Sequence, residues 1–531
     1  MALGKRSYNI PALYGGCRYV DHILSLDRSE AYILKNVHIN DRGIVYTRGG
    51  STLLNSTAPK GSVTNIHEYT RTSGSQIVRE ILAVIGANWY SFDGSTLTRI
   101  YGLSTNAKPS VVTFNDGSGN SIAILVNGVD FLKYDGSDVT ALISMSDFVA
   151  SRVPRYLFVY DNYLHASGCI DTPTRIYTSN LLDPTAWDSD AYFQYDSDGN
   201  KEPITGIGSA WSYLVAFKKN QIYMDSEGDP TSSTLEQIKI AEGHGTTSHW
   251  GIVTVGDNIY FPSQNGYFSG VLRRETTDGL KVTNIGDNVQ KKFDEVTDYN
   301  EIEGIHDAKH QSIRFGTKTG GSSTYNTEFS YNLALSGEKA DGSRRDVWDG
   351  WWEGTNYEPA SYGLKTNSNG SFSIYRGDSH GRIYLMEDDF VFKDDDYSAT
   401  EQNIETLIHL APLLPYGLVY RKNFRKIVLY LFQQVNGSTT FEINNSGRTR
   451  SLSSNMEIKG HIPYWNNDND VDKVQTWDGT LWADAPMLPY EMTINQCGSF
   501  IEIILTNNGD NDQDSIAYGG GQLIYQVKRG I

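Results

Sequence analysis

The chain contains two copies of one strand–turn–strand unit, set 42 residues apart. In each copy an apolar strand ends at a glycine, an aromatic strand follows, and an Asp-Gly pair closes the unit. The matched positions are Gly86 with Gly128, and Asp93 with Asp135. A period of about 40–50 residues is typical of the four-stranded blades of a β-propeller. The repeat therefore predicts a propeller, and an irregular β-sandwich with unevenly spaced hairpins is the alternative.

Looser copies of the same unit follow further along the chain. Paired strand-like segments occur at 213–217 and 221–224, at 258–261 and 266–268, and at 373–376 and 382–385. Glycine supplies the positive φ that tight hairpin turns need, and 51 glycines are present. Long helical periodicity is hard to find in this region. We therefore predict an all-β fold with a propeller of six to eight blades over residues 61–400.

The sequence pattern changes on both sides of this region. Residues 1–60 do not fit the repeat and are predicted to form an N-terminal arm and first strands. The acidic stretch 387–396 is interpreted as an exposed boundary. Beyond it, new apolar strands predict a C-terminal β-sandwich or barrel over 401–531, with a long insertion near 455–495. The predicted strands are 406–410, 424–432, 500–505 and 523–527.

Charge and cysteine content narrow the functional classes. With 45 Lys and Arg against 63 Asp and Glu, the net charge is −18. Gripping nucleic acid through its phosphates requires a basic excess, so that class is disfavoured. Cys17, Cys169 and Cys497 are far apart and odd in number, which favours reduced thiols over a disulfide framework. Neither a signal peptide nor a membrane span is predicted.

The search for chemical motifs finds no catalytic, cofactor or metal site. The segments 346–351 and 476–482 resemble a sialidase box only loosely and are interpreted as aromatic strands meeting at Asp-Gly turns. The acidic segments 468–470 and 510–514 lack the glycine and glutamate of a calcium loop and are interpreted as solvated loops. Zinc, phosphate-loop and nucleophile-elbow signatures are absent from the sequence. We expect a protein that is not an enzyme.

One aromatic cluster has two interpretations. The segment Trp348-Asp349-Gly350-Trp351-Trp352 could stack on sugar rings in a carbohydrate-binding propeller. Trp is also enriched in hydrophobic anchors and at subunit interfaces. The anchor or interface interpretation is the favoured one.

Four passages of the chain resemble the β-propeller tail proteins of short-tailed bacteriophages, called nozzle, tail-tube or head-stabilisation proteins. They are the N-terminal segment with Gly15-Gly16 and Arg48-Gly49-Gly50, the segments 163–187 and 203–266, and the basic-then-apolar strand 424–429. The stretch from 163 to 268, which holds the second and third passages, is the most specific, because several blade elements occur there in the same order. Residues 455–495 have no counterpart in the family pattern.

This resemblance implies a virion structural protein of the viral tail, made in the cytoplasm of the bacterial host. Family members form a hexameric ring below the portal and its adaptor, contact other tail proteins and tail fibres or spikes, and conduct double-stranded DNA without sequence-specific binding. An acidic chain would suit a ring that DNA slides past without sticking. The alternatives are another head-completion or tail hub component, and a secreted carbohydrate-binding or hydrolytic propeller.

Overall fold

The computed structural model shows a chain built almost entirely of β-strands. It describes residues 5–55, 57–73, 76–142, 153–196, 199, 201–263, 267–273, 280–339, 343–388, 391–432, 436–445, 448–459, 487–507 and 516–527. The described helical elements are short: 3-10 turns at Ile23–Ser25 and Asp287–Val289, and the helix α1 at Gln290–Phe293. No helix among these residues has the length and apolar character needed to cross a membrane.

Six short strands precede the repeat region. They are β1 (Arg6–Ile10), β2 (Gly16–Cys17), β3 (Glu30–Lys35), β4 (Val37–Ile39), β5 (Val45–Thr47) and β6 (Gly50–Leu53). The repeat region then forms consecutive antiparallel sheets, each laid down strand by strand along the chain.

Five four-stranded sheets, blades 1 to 5, come first. Blade 1 is β7 (Val63–Ser73), β8 (Gln76–Ile85), β9 (Asn88–Phe92) and β10 (Leu97–Gly102); blade 2 is β11 (Ser110–Asn115), β12 (Ser121–Val126), β13 (Phe131–Tyr134) and β14 (Val139–Ala141); blade 3 is β15 (Tyr156–Tyr160), β16 (Tyr163–Ser167), β17 (Arg175–Asn180) and β18 (Asp183–Gln194); blade 4 is β19 (Ile204–Ala210), β20 (Tyr213–Lys218), β21 (Gln221–Asp225) and β22 (Gln237–Glu242); blade 5 is β23 (Val253–Val255), β24 (Asn258–Ser263), β25 (Tyr267–Arg273) and β26 (Leu280–Asn284).

Two further blades complete the ring. Blade 6 is β27 (Glu303–Asp307), β28 (Ser312–Thr317), β29 (Thr327–Glu338) and β30 (Arg344–Trp352); blade 7 is β31 (Ser361–Thr366), β32 (Phe372–Gly377) and β33 (Ile383–Asp388), with β6 as its fourth strand. The first strand of each blade contacts the first strand of the next, and β31 returns to β7. The fold is therefore a closed β-propeller of seven blades, within the predicted range of six to eight.

The 42-residue repeat corresponds to blades 1 and 2. Gly86 and Gly128 lie at the turns between the second and third strands, with φ of 55° and 87°. The two blades share one apolar core, in which Val84 and Trp89 of blade 1 pack with Leu125 of blade 2. The predicted hairpins 213–224, 258–268 and 373–385 are confirmed as the central strands of blades 4, 5 and 7. Each blade buries both faces against its neighbours, which explains the long apolar runs in its second strand.

The strands that follow blade 7 extend that blade and then form a β-sandwich. They are β34 (Lys393–Asp395), β35 (Glu401–Asn403), β36 (Thr406–Leu410), β37 (Lys422–Phe432), β38 (Asn436–Asn445), β39 (Arg448–Lys459), β40 (Met487–Gly498), β41 (Ile501–Asn507) and β42 (Ala517–Val527). Strands β34 and β35 extend blade 7, and β36 to β42 belong to the sandwich. One sheet joins β1, β4 and β5 to β42, β37 and β40, and the other joins β3 to β36, β41, β38 and β39. The four predicted C-terminal strands are thus β36, β37, β41 and β42.

The first 60 residues enter three sheets instead of standing apart as an arm. They supply strands to both sheets of the sandwich and the last strand of blade 7. Lys35 of β3 also pairs with Trp351 at the outer edge of blade 6. The N-terminal segment therefore ties the propeller to the sandwich. The insertion expected near 455–495 lies outside the described residues, except for the ends of β39 and β40.

Candidate functional site

At one end of the propeller, side chains from non-adjacent blades meet near the centre of the ring. Lys108, in the connection between blades 1 and 2, places its ammonium 2.7 Å from a carboxylate oxygen of Glu303 at the start of blade 6. The ring of Trp250 lies 4.8 Å from the same ammonium, and its indole N–H donates to the carbonyl of Pro109 at 3.0 Å. Burial raises the pKa of Glu303 to about 7, against the opposing charge of Lys108. These contacts form a plug across the axis.

Beside this plug lies a small axial cavity of about 220 Å³. Its walls come from the first strands of blades 1 to 5 and include Asn65, Ser110 and Ile207, with His249 at one side. The hydroxyl of Ser110 lies 3.3 Å from the imidazole of His249. Burial lowers the pKa of His249 to about 4, so this ring is neutral at physiological pH. The cavity is below the roughly 300–1,000 Å³ of ordinary ligand pockets.

A larger cleft, of about 560 Å³, opens between blades 6 and 7. Its lining includes Asp307 and His310 of blade 6 and Glu387 of blade 7. Buried behind them are His38 on β4 and Arg314 on β28. Three separate parts of the chain thus bring their ionisable groups to one place.

Arg314 is the centre of this ion cluster. Its guanidinium pairs with Asp307, and it lies 3.3 Å from Glu387 Oε1 and 3.7 Å from Glu328 Oε1. The ring of Trp352 lies 4.4 Å from the guanidinium carbon. Burial would raise the pKa of Asp307 and of Glu387, but the cations beside them hold both well below their usual range. Neither carboxyl therefore serves as a general acid near neutral pH.

His38 is held between two carboxylates. Its Nε2 lies 3.1 Å from Glu387 Oε1, and its Nδ1 lies 3.5 Å from Asp349 Oδ2. Burial alone would lower the pKa of His38, but the charge of Glu387 and the nearby carboxylate contacts raise it to about 9. The imidazole is thus a buried cation at neutral pH.

The trio His38, His310 and Glu387 has ligand-type atoms that all lie within 4.8 Å of one another. Both oxygens of Glu387 are already engaged, because Oε1 faces His38 and Arg314 and Oε2 accepts the N–H of Gly49 at 2.8 Å. His310 Nδ1 bonds to Asp307 at 2.7 Å. The guanidinium supplies the positive charge that a metal ion would bring, so the donor set does not fit a metal and acts as an ion-paired clamp.

A second buried ion pair lies next to this cluster. Arg48, between β5 and β6, pairs bidentately with Asp394 of β34. The hydroxyl of Ser51 donates to the same carboxylate at 2.7 Å and accepts from Arg376 of blade 7 at 3.0 Å. The closing strand of blade 7 is therefore fixed by charge as well as by its backbone ladder.

The interpretation of 387–396 as an exposed boundary was wrong for its key members. Glu387, Asp394 and Asp396 are all buried. An acidic run is usually solvated, but here the partners Arg48 and Arg314 come from distant parts of the chain. The local sequence signal for a buried cation was Arg48, which lies among strand residues in Thr47-Arg48-Gly49-Gly50.

The aromatic cluster 348–352 is an internal anchor. Trp348 and Trp352 are fully buried and Trp351 nearly so. The indole N–H of Trp348 donates to the carbonyl of Ile285, and that of Trp352 to the carbonyl of Val37. These rings pack inside the chain and present no face to a sugar, which confirms the anchor interpretation. The segments 468–470, 476–482 and 510–514 lie outside the described residues.

Comparison with known proteins finds only distant structural similarity. No protein-family model matches the chain, and no curated protein matches it significantly. The N-terminal domain of Nup159 is similar with a TM-score of 0.38 and 9% identity, over 66% of this chain and 98% of that one. BBS1N in complex with ARL6DN has a TM-score of 0.38 and 8% identity, over 64% of this chain and 97% of that one. An exo-β-1,3-galactanase from Phanerochaete chrysosporium has a TM-score of 0.26 and 10% identity, over 90% of this chain and 100% of that one.

Proposed function

We propose that this chain is a structural protein of a short-tailed phage virion, the tail nozzle, which assembles as a hexameric ring around the exiting genome. The observation that carries the proposal is the joining of propeller and sandwich by one N-terminal segment. That segment supplies strands to both sandwich sheets and to blade 7, so the two parts form one continuous block. A block of this kind suits a component that bears load in an assembly.

The state of the ionisable groups agrees with a scaffold. Asp307, Glu387 and Arg314 satisfy one another, and the carboxyls have pKa values held low. Catalytic carboxyls need the opposite tuning, with at least one acid kept protonated near neutral pH. The larger cleft therefore favours the structural proposal over the hydrolytic one.

The closed axis constrains how such a ring would conduct DNA. Because Lys108 and Glu303 join non-adjacent blades at the centre of the propeller, we place the conduit between copies. Six chains of charge −18 would surround that conduit with an acidic assembly, which repels phosphate and lets DNA slide. The portal adaptor, other tail proteins and fibres or spikes would be its neighbours in the virion tail.

Light scattering after size exclusion, with negative-stain images of the full chain, tests this proposal. We expect six-fold rings, and the chain among the proteins of purified phage particles by mass spectrometry. A monomer at all concentrations that is also absent from particles would overturn the proposal. Hydrolysis of a glycan in a parallel assay would favour the carbohydrate-active alternative.

A further inference from the structure

One loop of the sandwich exposes an apolar surface. The six residues 416–421, the second half of the connection from β36 to β37, are all exposed. Tyr416, Leu418, Val419 and Tyr420 are large and apolar, and Val419 is 89% exposed. Single apolar residues are normal on a surface, but four on one loop form a patch of the kind found at interaction sites. Residues 416–421 are named the apolar loop below.

The apolar loop is held in one shape. The buried ammonium of Lys422 donates to the carbonyl of Gly417 and, at 2.7 Å, to that of Ser499. The N–H of Gly417 donates to the carbonyl of Leu414 at 3.0 Å. A loop that is already ordered loses little conformational entropy when it binds.

Arginines surround the apolar loop. The guanidinium of Arg6 lies 4.7 Å from the ring of Tyr416. Arg28 lies 4.6 Å from the ring of Tyr8, whose hydroxyl interacts with the backbone of Leu414. Arg421 is exposed at the end of the loop. On a chain of net charge −18, this patch is both apolar and basic, and it fits a partner that is apolar and acidic.

The propeller itself offers such a surface. In a propeller, the turns between first and second strands and between third and fourth strands emerge on one face. The part of this face formed by blades 1 to 5 is named the acidic face, and its described exposed carboxylates include those of Asp93, Asp135, Asp138, Asp161, Asp183, Glu236 and Asp257. None of the described turns of blades 1 to 5 on this face contains Lys or Arg. Ile77, Leu181 and Leu182 are exposed among them.

The carboxylates of this face are charged. Backbone N–H groups of Thr96 and Ser95 donate to Asp93 and lower its pKa, and those of Asp138 and Ser137 do the same for Asp135. Both therefore stay ionised at any pH near neutrality. A basic, apolar loop meets complementary charge and complementary apolar groups there.

The apolar loop is not covered by its own propeller, because all six of its residues are exposed in a single copy. The acidic face that it meets therefore belongs to another molecule.

We infer that the apolar loop of one copy docks on the acidic face of the next copy, and this inference rests on the proposed ring. Such a contact joins two different surfaces and is heterologous, the type that closes rings when repeated. Its apolar side chains supply the affinity, and its arginines set orientation and association rate.

Two variants of the full chain test this inference from its two sides. Leu418→Ser/Val419→Asp alters the loop, and Leu181→Lys alters the acidic face by replacing an apolar group with a charge that repels the arginines of the loop. We expect each to raise the dissociation constant for self-association about tenfold or more, measured by analytical ultracentrifugation. Ile170→Lys is the matched control, because Ile170 is 82% exposed on the opposite face and its replacement should change nothing. Unchanged thermal unfolding confirms that the variants fold.

A photo-crosslinking amino acid at position 420 identifies the contact directly. We expect links to residues 77, 93, 135 or 181–183 of a second copy. Rings that persist in both variants, or links from 420 to any other surface or molecule, overturn this inference and leave the proposed function standing. Self-association through the loop in a chain that is absent from phage particles supports the inference and removes the proposed function.

Discussion

The imidazoles of His38 and His310 stack with their centroids 4.3 Å apart and their planes inclined by 14°. His38 belongs to a sandwich strand and His310 to the first turn of blade 6, so the stack joins the two parts of the molecule. Carboxylates flank both rings, and the charge of Arg314 is shared among them. The cluster is thus a buried clamp at the junction.

Removing the central cation should cost the most stability. Arg314→Met leaves Asp307 and Glu387 buried without their guanidinium, so we expect a loss of about 3–5 kcal/mol in the free energy of unfolding. Chemical denaturation at pH 7 measures this loss. Arg42→Met is the control, since Arg42 is exposed, and should stay within about 0.5 kcal/mol of the wild type. Equal effects of both substitutions would contradict a clamp.

Stability should fall on the alkaline side because of His38. Its folded-state pKa of about 9 lies above the unfolded value of about 6.5, so its contribution is complete below pH 6.5 and lost as pH rises through 9. The lost free energy is on the order of 3 kcal/mol. Denaturation from pH 6 to 9.5 should show this slope in the wild type and in His22→Gln, whose imidazole is exposed, but not in His38→Gln.

Acidification should also weaken the clamp, through protonation of its carboxylates. Glu387 and Asp307 have depressed folded-state pKa values, so their contribution is present above their unfolded values and declines as pH falls. Arg314→Met should remove most of this acid dependence, because the guanidinium is a main cause of the depression. Denaturation curves between pH 6 and pH 3 measure it. An acid slope that is the same in both proteins would place its origin elsewhere.

Two glycines with similar backbone angles should respond differently to alanine. Gly350 has φ of 94°, and a Cβ there would lie 2.0 Å from the carbonyl oxygen of Leu34. Gly94 has φ of 107°, and a Cβ there would meet nothing within 4 Å. Gly94→Ala should cost about 1–2 kcal/mol of backbone strain, and Gly350→Ala clearly more. Similar shifts in melting temperature would show that the approach of blade 6 to β3 is not tight.

The plug across the axis allows a double-mutant cycle. Lys108→Met leaves Glu303 buried and unpaired, and Glu303→Gln leaves the ammonium without a counter-charge. We expect the two losses in unfolding free energy to be non-additive by about 1–3 kcal/mol, because each removes the same ion pair. Additive losses would mean that the pair is not formed in solution.

The sequence predicted the local part of this fold well. Blades 1, 2, 4, 5 and 7 each contain a short hairpin with a glycine or Asp-Gly turn. Such hairpins can be predicted from sequence, because a few neighbouring residues determine them. The pairing of β6 with β33 and of β42 with β5 depends on segments more than 300 residues apart. No local pattern encodes such partners, so residues 1–60 looked like an arm.

The ion cluster was missed for the same reason. Glu387 lies in an acidic run that reads as solvated, and its partners His38 and Arg314 lie 349 and 73 positions earlier in the chain. Whether a carboxylate is buried depends on what packs over it. That information became available only once the sheets had been placed side by side.

The completion of blade 7 by β6 delays closure of the propeller during synthesis. Residues 50–53 leave the ribosome long before residues 383–388, the partners with which they pair. Until translation reaches that point, the ring stays open and the early strand has no place to settle. A product that ends before residue 383 would keep this gap, and with it an unpaired strand edge that is prone to pair with other chains. Closure of the ring therefore needs the chain up to residue 388 of 531 and does not wait for the sandwich strands that follow.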